Sequence, residues 1–296
     1  MFRLIENWPQ FRATIVNINM DLHSFVRSIR TNNNNNGSKT STASSSQTQR
    51  EFVAECHADR PARLDRLLEQ DSVPMEVQVS NSWSLVNKSP HINIRNEGMV
   101  GKRRPVAKST DCMRGRVGYT NGLHVWTIKW PADCRGTHAM VGVATEAAPL
   151  HTTGYCSLVG SNEESWGWDL VRNKCYHNMT EQTYPNWLTG NEIFDIPDEL
   201  MVVLDMDSGT LGFIVDHIYL GVAFDGLKGK KLFPVISTVW GNGEIGIKYE
   251  SCLEPNPLLL RECCRQVIRK TAGKERINRI RSEIVLPNKL KNYIIQ

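Results

Sequence analysis

Asp205 and Asp207 are paired acids two residues apart, a spacing open to acid–base chemistry. They fall at a predicted hairpin, in Asp207-Ser-Gly209, where such residues stabilise turns instead. Ser161 follows Gly160, but no Gly-x-Ser-x-Gly elbow surrounds it. His138, beside Thr137, reads as a hydrogen-bonded strand histidine rather than a catalytic base. Neither a phosphate loop nor a dinucleotide fingerprint is present. Eight cysteines lie at 56, 112, 134, 156, 175, 252, 263 and 264. They form no Cys-x-x-Cys pair, and no histidine cluster completes a zinc site, so no metal is expected. Without a secretory signal they read as free thiols in a reducing compartment, one of Cys263 and Cys264 being a small buried hydrophobe. No cluster of Asp and Asn is arranged to hold calcium. These residues point to binding rather than catalysis, with no cofactor.

Association is written most clearly from Pro257 onward. Leu260, Cys264 and Ile268 are spaced four apart and form one apolar stripe on a helix. Leu259, Cys263 and Val267 widen it, while Arg261, Glu262, Arg265, Arg269 and Lys270 occupy the opposite face. Gly273 fits the position that ends a helix. So short a helix is marginal alone in water. Its apolar face needs a partner, either the rest of this chain or another protein.

The elements that position such residues follow from the wider pattern. A chain of 296 residues can bury a full core in one large domain or two smaller ones. The net charge of +4 is small and no long block of Lys and Arg occurs, so no footprint for nucleic acid is present. The first residues, Met1 to Pro9, lack the apolar core of a signal peptide. No apolar run approaches the length that crosses a bilayer.

Residues 1–50 read as a disordered, low-complexity appendage, with the run Asn32 to Asn36 followed by a Ser- and Thr-rich stretch. Phe11, Ile15, Ile18 and Leu22 suggest a short helix inside it. Arg63 to Glu69 suggests another. Beyond lie strand-like segments divided by turn residues. In His124 to Trp130, Trp126, Ile128 and Trp130 share one face, and Val125, Thr127 and Lys129 the other. Met201 to Met206 and Thr210 to Val215 read as a hairpin about a Gly-containing turn. Tyr219 to Phe224, Leu232 to Ser237 and Ile245 to Tyr249 add strands. Many short strands, few helices and no fixed repeat predict a mainly β sandwich.

Several motifs in order make the match specific. They are Gly142-Val-Ala-Thr145, Gly160-Ser-Asn-Glu-Glu-Ser-Trp-Gly-Trp-Asp169, Val203-Leu-Asp-Met-Asp207 with Gly209-Thr-Leu-Gly212, and Leu232-Phe-Pro-Val235 before Val239-Trp240-Gly241. From about Arg104 to Tyr249 the chain resembles a SPRY domain. Arg103-Arg-Pro-Val-Ala107 and Arg135-Gly-Thr-His-Ala139 narrow this to the SPRY-domain SOCS-box family, over roughly Pro61 to Gln296. The resemblance implies a SPRY (B30.2-type) bent antiparallel β-sandwich over 61–252 and a C-terminal α-helical SOCS box over 255–296. Trp166 and Trp168 are then structural.

The resemblance further implies a non-catalytic substrate receptor of a ubiquitin ligase. Its SPRY domain would bind peptides of the form Asp-Ile-Asn-Asn-Asn, or Glu with Leu in the first positions. Carried over to this sequence, the peptide site is Arg103, Pro105, Ala107, Gly136, Thr137, Tyr155, Leu158, Val239, Trp240 and Gly241. Those types suit the task. Gly136 and Gly241 let main-chain groups approach, and Tyr155 and Trp240 give rigid apolar walls with polar tips. In the SOCS box, Leu259, Leu260, Cys264 and Ile268 would dock elongin C, which comes with elongin B. Leu286 and Pro287 would contact a cullin, which brings a RING protein. Val285 stands where a first proline is common, so the segment does not specify which cullin. The implied location is the cytoplasm, extending to the nucleus. A Vasa-type DEAD-box RNA helicase is an expected target, and a scaffold that localises or protects such a helicase without ubiquitinating it is the alternative.

Overall fold

The computed structural model describes residues 29–31, 60–61, 63–188 and 192–253, and then 264, 268, 287, 290–291 and 294. The helix expected within residues 9–28 and the asparagine run lie outside the described residues. Two compact units divide the chain, Met1–Glu254 and Pro255–Gln296.

In chain order the strands are β1 (Ile29–Thr31), β2 (Trp83–Lys88), β3 (Ile92–Arg95), β4 (Val100–Arg103), β5 (Ser109–Gly115), β6 (Leu123–Lys129), β7 (Ala139–Ala144), β8 (His151–Thr153) and β9 (Ser165–Asp169). They continue with β10 (Lys174–His177), β11 (Thr180–Thr183), β12 (Glu192–Phe194), β13 (Glu199–Asp205), β14 (Thr210–Val215), β15 (Ile218–Phe224), β16 (Phe233–Thr238) and β17 (Glu244–Leu253). Two short helices, α1 (Leu64–Leu68) and α2 (Met75–Ser80), precede β2. Among the described residues no helix is long and apolar enough to cross a membrane.

The strands make two antiparallel sheets. One runs β11-β10-β9-β7-β16-β5-β2, with β8 also paired to β5; the other runs β15-β14-β13-β6-β17-β4-β3. Apart from these, β1 pairs with β12.

Alternation along the strands builds the core. Trp126 and Ile128 of β6, with Trp130 just beyond it, point into one buried cluster with Val141, Val143, Trp168 and Ile236 from the facing sheet. Trp168 on β9 meets Phe213 on β14 with ring centroids 4.8 Å apart, which joins the two layers.

The opposite face of β6 is not left to solvent throughout. Leu123 and Val125 are covered by Leu64 and Leu67 of α1, the apolar side of a helix too short to persist unaided. On the outer face of the first sheet, Leu158 and Val159 cover Cys112, Met140 and Val235. The centre of the first sheet is thus buried on both sides, and β5, β7, β9 and β16 contain no exposed residue.

The hairpin between β13 and β14 explains the aspartate pair. Asp205 Oδ1 accepts from the amides of Asp207 and Ser208, at 3.0 and 3.2 Å. Asp207 Oδ1 accepts from the Gly122 amide at 2.8 Å, and its other oxygen pairs with Arg63. Both carboxylates are occupied in holding turns. The six described cysteines, at 112, 134, 156, 175, 252 and 264, are free thiols.

Candidate functional site

Strand register gathers the predicted site. Thr238, which ends β16, lies opposite Asp111 on β5 and opposite Ala139, the first residue of β7. Ser109, the first residue of β5, lies opposite Thr153, the last of β8. Lys102 on β4 faces Glu244, which opens β17. Four connections therefore meet at one end of the sandwich: residues 104–108 after β4, 135–138 before β7, 154–158 after β8, and 239–243 after β16.

Two glycines set how closely these connections approach. A Cβ added at Gly136 would lie 3.1 Å from Trp240 Cε3, and Gly136 also has a φ of +64° that L side chains rarely adopt. A Cβ at Gly241 would lie 2.7 Å from the Cα of Pro105. The 135–138 segment is thereby seated against Trp240, and the 104–108 segment against Gly241. The Asn242 amide donates to the Arg103 carbonyl at 2.8 Å and closes the third side.

Pro105, Ala107, Thr137, Tyr155 and Trp240 are exposed on this face, the two aromatics at 52% and 48%. The Tyr155 hydroxyl accepts from the Lys108 amide at 3.0 Å, so the ring is fixed against the loop it flanks. Thr137 is held by its carbonyl, which accepts from Arg172 Nη1 at 2.7 Å; the same nitrogen donates to the buried Asp169 at 2.7 Å. His138 contacts the Thr137 hydroxyl through Nδ1 at 3.0 Å. Burial, and then the Arg172 charge, push its pKa below the usual value.

Arg103 and Leu158 occupy a different level from the surface contacts. Leu158 is 4% exposed and anchors the Tyr155 segment on the outer face of the first sheet. Arg103 is 2% exposed. Its guanidinium donates to the carbonyls of Arg104, Val106 and Ser109 at 3.2, 2.7 and 2.9 Å. Its Nε donates to Asp111 Oδ2 at 2.6 Å. Its side chain does not stand at the surface expected for a contact residue, because the loop carbonyls and a buried carboxylate take up its donors. It shapes the 104–108 loop from beneath.

Asp111 escaped the sequence reading. It is fully buried, and besides Arg103 it accepts from Ser89 Oγ at 2.6 Å and Ser109 Oγ at 2.9 Å. His91 Nδ1 and His151 Nδ1 also face its Oδ1, at 2.9 and 3.1 Å. The one local signal was an acid inside a strand buried at every position, Ser109–Gly115. Burial alone would raise its pKa; hydrogen bonds from Ser89, Ser109 and Arg103 outweigh that and hold the carboxyl below its ordinary range.

In the C-terminal unit, Cys264 and Ile268 are helical and exposed. Leu259, Leu260 and Leu286 lie outside the described residues. Pro287 is exposed, and its carbonyl accepts from the Leu290 and Lys291 amides at 2.9 and 3.1 Å, which starts a helical turn.

The face described sets two exposed aromatic rings beside close-set main chain. A SPRY-domain family model matches residues 123–249. The chain is 51% identical over 240 residues to human SPRY domain-containing SOCS box protein 1, covering 80% of this chain and 88% of that one. It is 47% identical over 253 residues to Protein gustavus of Drosophila melanogaster, covering 84% and 88%. With human SPRY domain-containing SOCS box protein 2 it shares 43% identity over 239 residues, covering 79% and 90%. On the fold, the motifs and this similarity across most of its length, the chain belongs to the family of SPRY domain-containing SOCS box proteins.

Proposed function

We propose that this chain is the substrate-recognition subunit of an elongin B/C–cullin–RING ubiquitin ligase, and that its loop face captures Asn-rich segments of target proteins. The observation that carries the reading is the convergence of Pro105, Ala107, Gly136, Thr137, Tyr155 and Trp240 on one exposed end of a closely packed sandwich. An asparagine side chain offers two donors and an acceptor, so its site must return both kinds. Close-set main chain and the Thr137 hydroxyl supply them, and the aromatic rings exclude water around them. Arg104 and Lys108, both exposed on the same loop, complement an acidic residue at the start of the peptide. A Vasa-type DEAD-box RNA helicase is one such target.

The ligase half of the reading rests on family membership and on Cys264 and Ile268, each helical and exposed, four residues apart. The chain itself makes and breaks no bond. It raises the effective concentration of target lysines near ubiquitin carried by a conjugating enzyme. The setting proposed for it is the cytoplasm, extending to the nucleus.

The test is co-expression with elongins B and C, followed by size-exclusion chromatography and titration with an Asp-Ile-Asn-Asn-Asn peptide. Leu260→Asp should lose the ternary complex and keep peptide binding, and Trp240→Ala should do the reverse. Loss of both activities in either variant, with the protein still folded, would refute the two-module scheme.

A further inference from the structure

We propose that His91, His151 and Asp111 form a site for a divalent ion of the zinc class, set directly behind the 104–108 loop. Three segments distant in sequence supply it: the turn before β3, the strand β5, and the first residue of β8. Their three ligand atoms lie within 4.8 Å of one another. The histidines stand 20 and 40 residues from the aspartate, so no local spacing announces the cluster.

The case begins with a surplus of donors. Asp111 Oδ1 has Ser89 Oγ at 2.6 Å, His91 Nδ1 at 2.9 Å and His151 Nδ1 at 3.1 Å around it. Oδ2 has Arg103 Nε at 2.6 Å and Ser109 Oγ at 2.9 Å. A carboxylate offers about four lone-pair sites, roughly two on each oxygen. With both ring nitrogens protonated, five donors exceed that number and three compete for one oxygen; with either ring nitrogen bare, its lone pair is set against the oxygen's own. A cation removes the conflict. It takes the Nδ1 lone pairs of both rings and one lone pair of Oδ1, and the ring hydrogens then reside on Nε2.

The donor set and spacing suit the ion. Two imidazole nitrogens and a carboxylate oxygen are ligands zinc accepts, with bonds of about 2.0–2.2 Å, so tetrahedral ligands stand about 3.3 Å apart. The Nδ1–Oδ1 separations of 2.9 and 3.1 Å need to open by only a few tenths of an ångström. The rings meet edge to face, with centroids 5.2 Å apart, and so approach the oxygen from different directions. Ser109 Oγ, 3.2 and 3.4 Å from the two ring nitrogens, or a water completes four-coordination. Arg103, Ser89 and Ser109 already fix the carboxylate, as the partners of a ligating group do. Side-chain exposures of 25% for His91 and 39% for His151 leave the ion a way in.

The ion would cross-link the Ser89–His91 turn, β5 and β8. Through Asp111 and Arg103 it would also stiffen the 104–108 loop, an effect on ligand binding that rests on the peptide-site reading above. Chelator-stripped full-length protein is titrated with Co²⁺ and, separately, Zn²⁺. One equivalent should bind, retained through size exclusion, with visible cobalt bands and no thiolate charge-transfer band. Prior alkylation of the cysteines should leave this unchanged. His91→Gln and His151→Gln should each weaken binding about tenfold or more. Equal binding in wild type and both variants, or loss of binding on alkylation, would overturn the site. Absence of a retained equivalent would do the same and leave a hydrogen-bonded cluster. Zinc-loaded protein should hold the Asp-Ile-Asn-Asn-Asn peptide several-fold more tightly than stripped protein, and equal affinity would overturn the coupling. Failure of both forms to bind peptide would count against the peptide reading while the metal result stood.

Discussion

Arg103 and Asp111 form a fully buried ion pair, Nε to Oδ2 at 2.6 Å, with side-chain exposures of 1% and 0%. They are eight residues apart, at the end of β4 and inside β5, so the pair closes the base of the loop between them. Removing one partner strands the other charge in the interior. Arg103→Ala should cost about 3–5 kcal/mol in urea denaturation. Arg103→Lys should recover little of it, because one ammonium cannot span a carboxylate and three carbonyls. Equal midpoints for wild type and Arg103→Lys would refute the bracing role.

Acid should reveal the same pair. The Asp111 carboxyl has a lower pKa folded than unfolded, so the unfolded chain binds more protons in the acid range. Its stabilising contribution is complete above the unfolded value of about 3.9 and is lost as pH falls through the lower folded value. Denaturation midpoints taken from pH 7 down to pH 2 should drop in wild type below about pH 4. Asp111→Asn should start lower and change less, the two curves converging in acid.

Glycine substitutions should separate binding from stability. Gly136→Ala places a Cβ 3.1 Å from Trp240 Cε3 at a φ of +64°, a conformation that costs an L residue about 1–2 kcal/mol. Gly241→Ala has no such φ, but its Cβ meets the Pro105 main chain at 2.7 Å, where no flexible side chain can yield. Both should weaken peptide affinity at least about tenfold by moving Trp240 or the 104–108 loop. Unchanged affinity in Gly241→Ala would show that this loop is not part of the site.

Tyr155 allows a finer test. Tyr155→Phe removes the hydroxyl that accepts from the Lys108 amide and should cost about 1 kcal/mol of peptide affinity. Tyr155→Ala removes the wall itself and should cost about 2 kcal/mol or more. Identical losses, read by calorimetry, would mean that the ring contributes nothing beyond its hydrogen bond.

In the C-terminal unit, Ile268→Asp should prevent assembly with elongins B and C, since burying an aliphatic side chain of this size contributes about 1.5–3 kcal/mol and a carboxylate reverses the sign. A complex of unchanged stoichiometry on size exclusion would remove Ile268 from the interface.

What could be read from sequence was what periodicity encodes. The inward face of β6, with Trp126, Ile128 and Trp130, followed from alternation, and the β13–β14 hairpin from the Asp-Ser-Gly turn. The family motifs pointed to Trp240 and Tyr155. Vertical position within the site was not legible. Arg103 belongs to the same motif as Pro105 and Ala107, yet its side chain turns inward because Asp111 waits there. Asp111 in turn draws its partners from residues 89, 91, 103, 109 and 151, which only the register of β5 against β8 and the turn before β3 brings together. Nor did alternation foresee that α1 would cover Leu123 and Val125, since nothing in β6 itself names the helix that lies over it.

Trp240 is the only exposed tryptophan among the described residues, the others being buried or partly covered. Its indole therefore emits from a wet environment, while Trp83, Trp126, Trp130, Trp166 and Trp168 emit from dry ones. The protein carries its own fluorescent reporter at the mouth of the proposed site, with no dye or label. Closure of a ligand over that ring would shift the emission to the blue and shield it from a dissolved quencher, turning an unlabelled library of peptides into a direct optical screen.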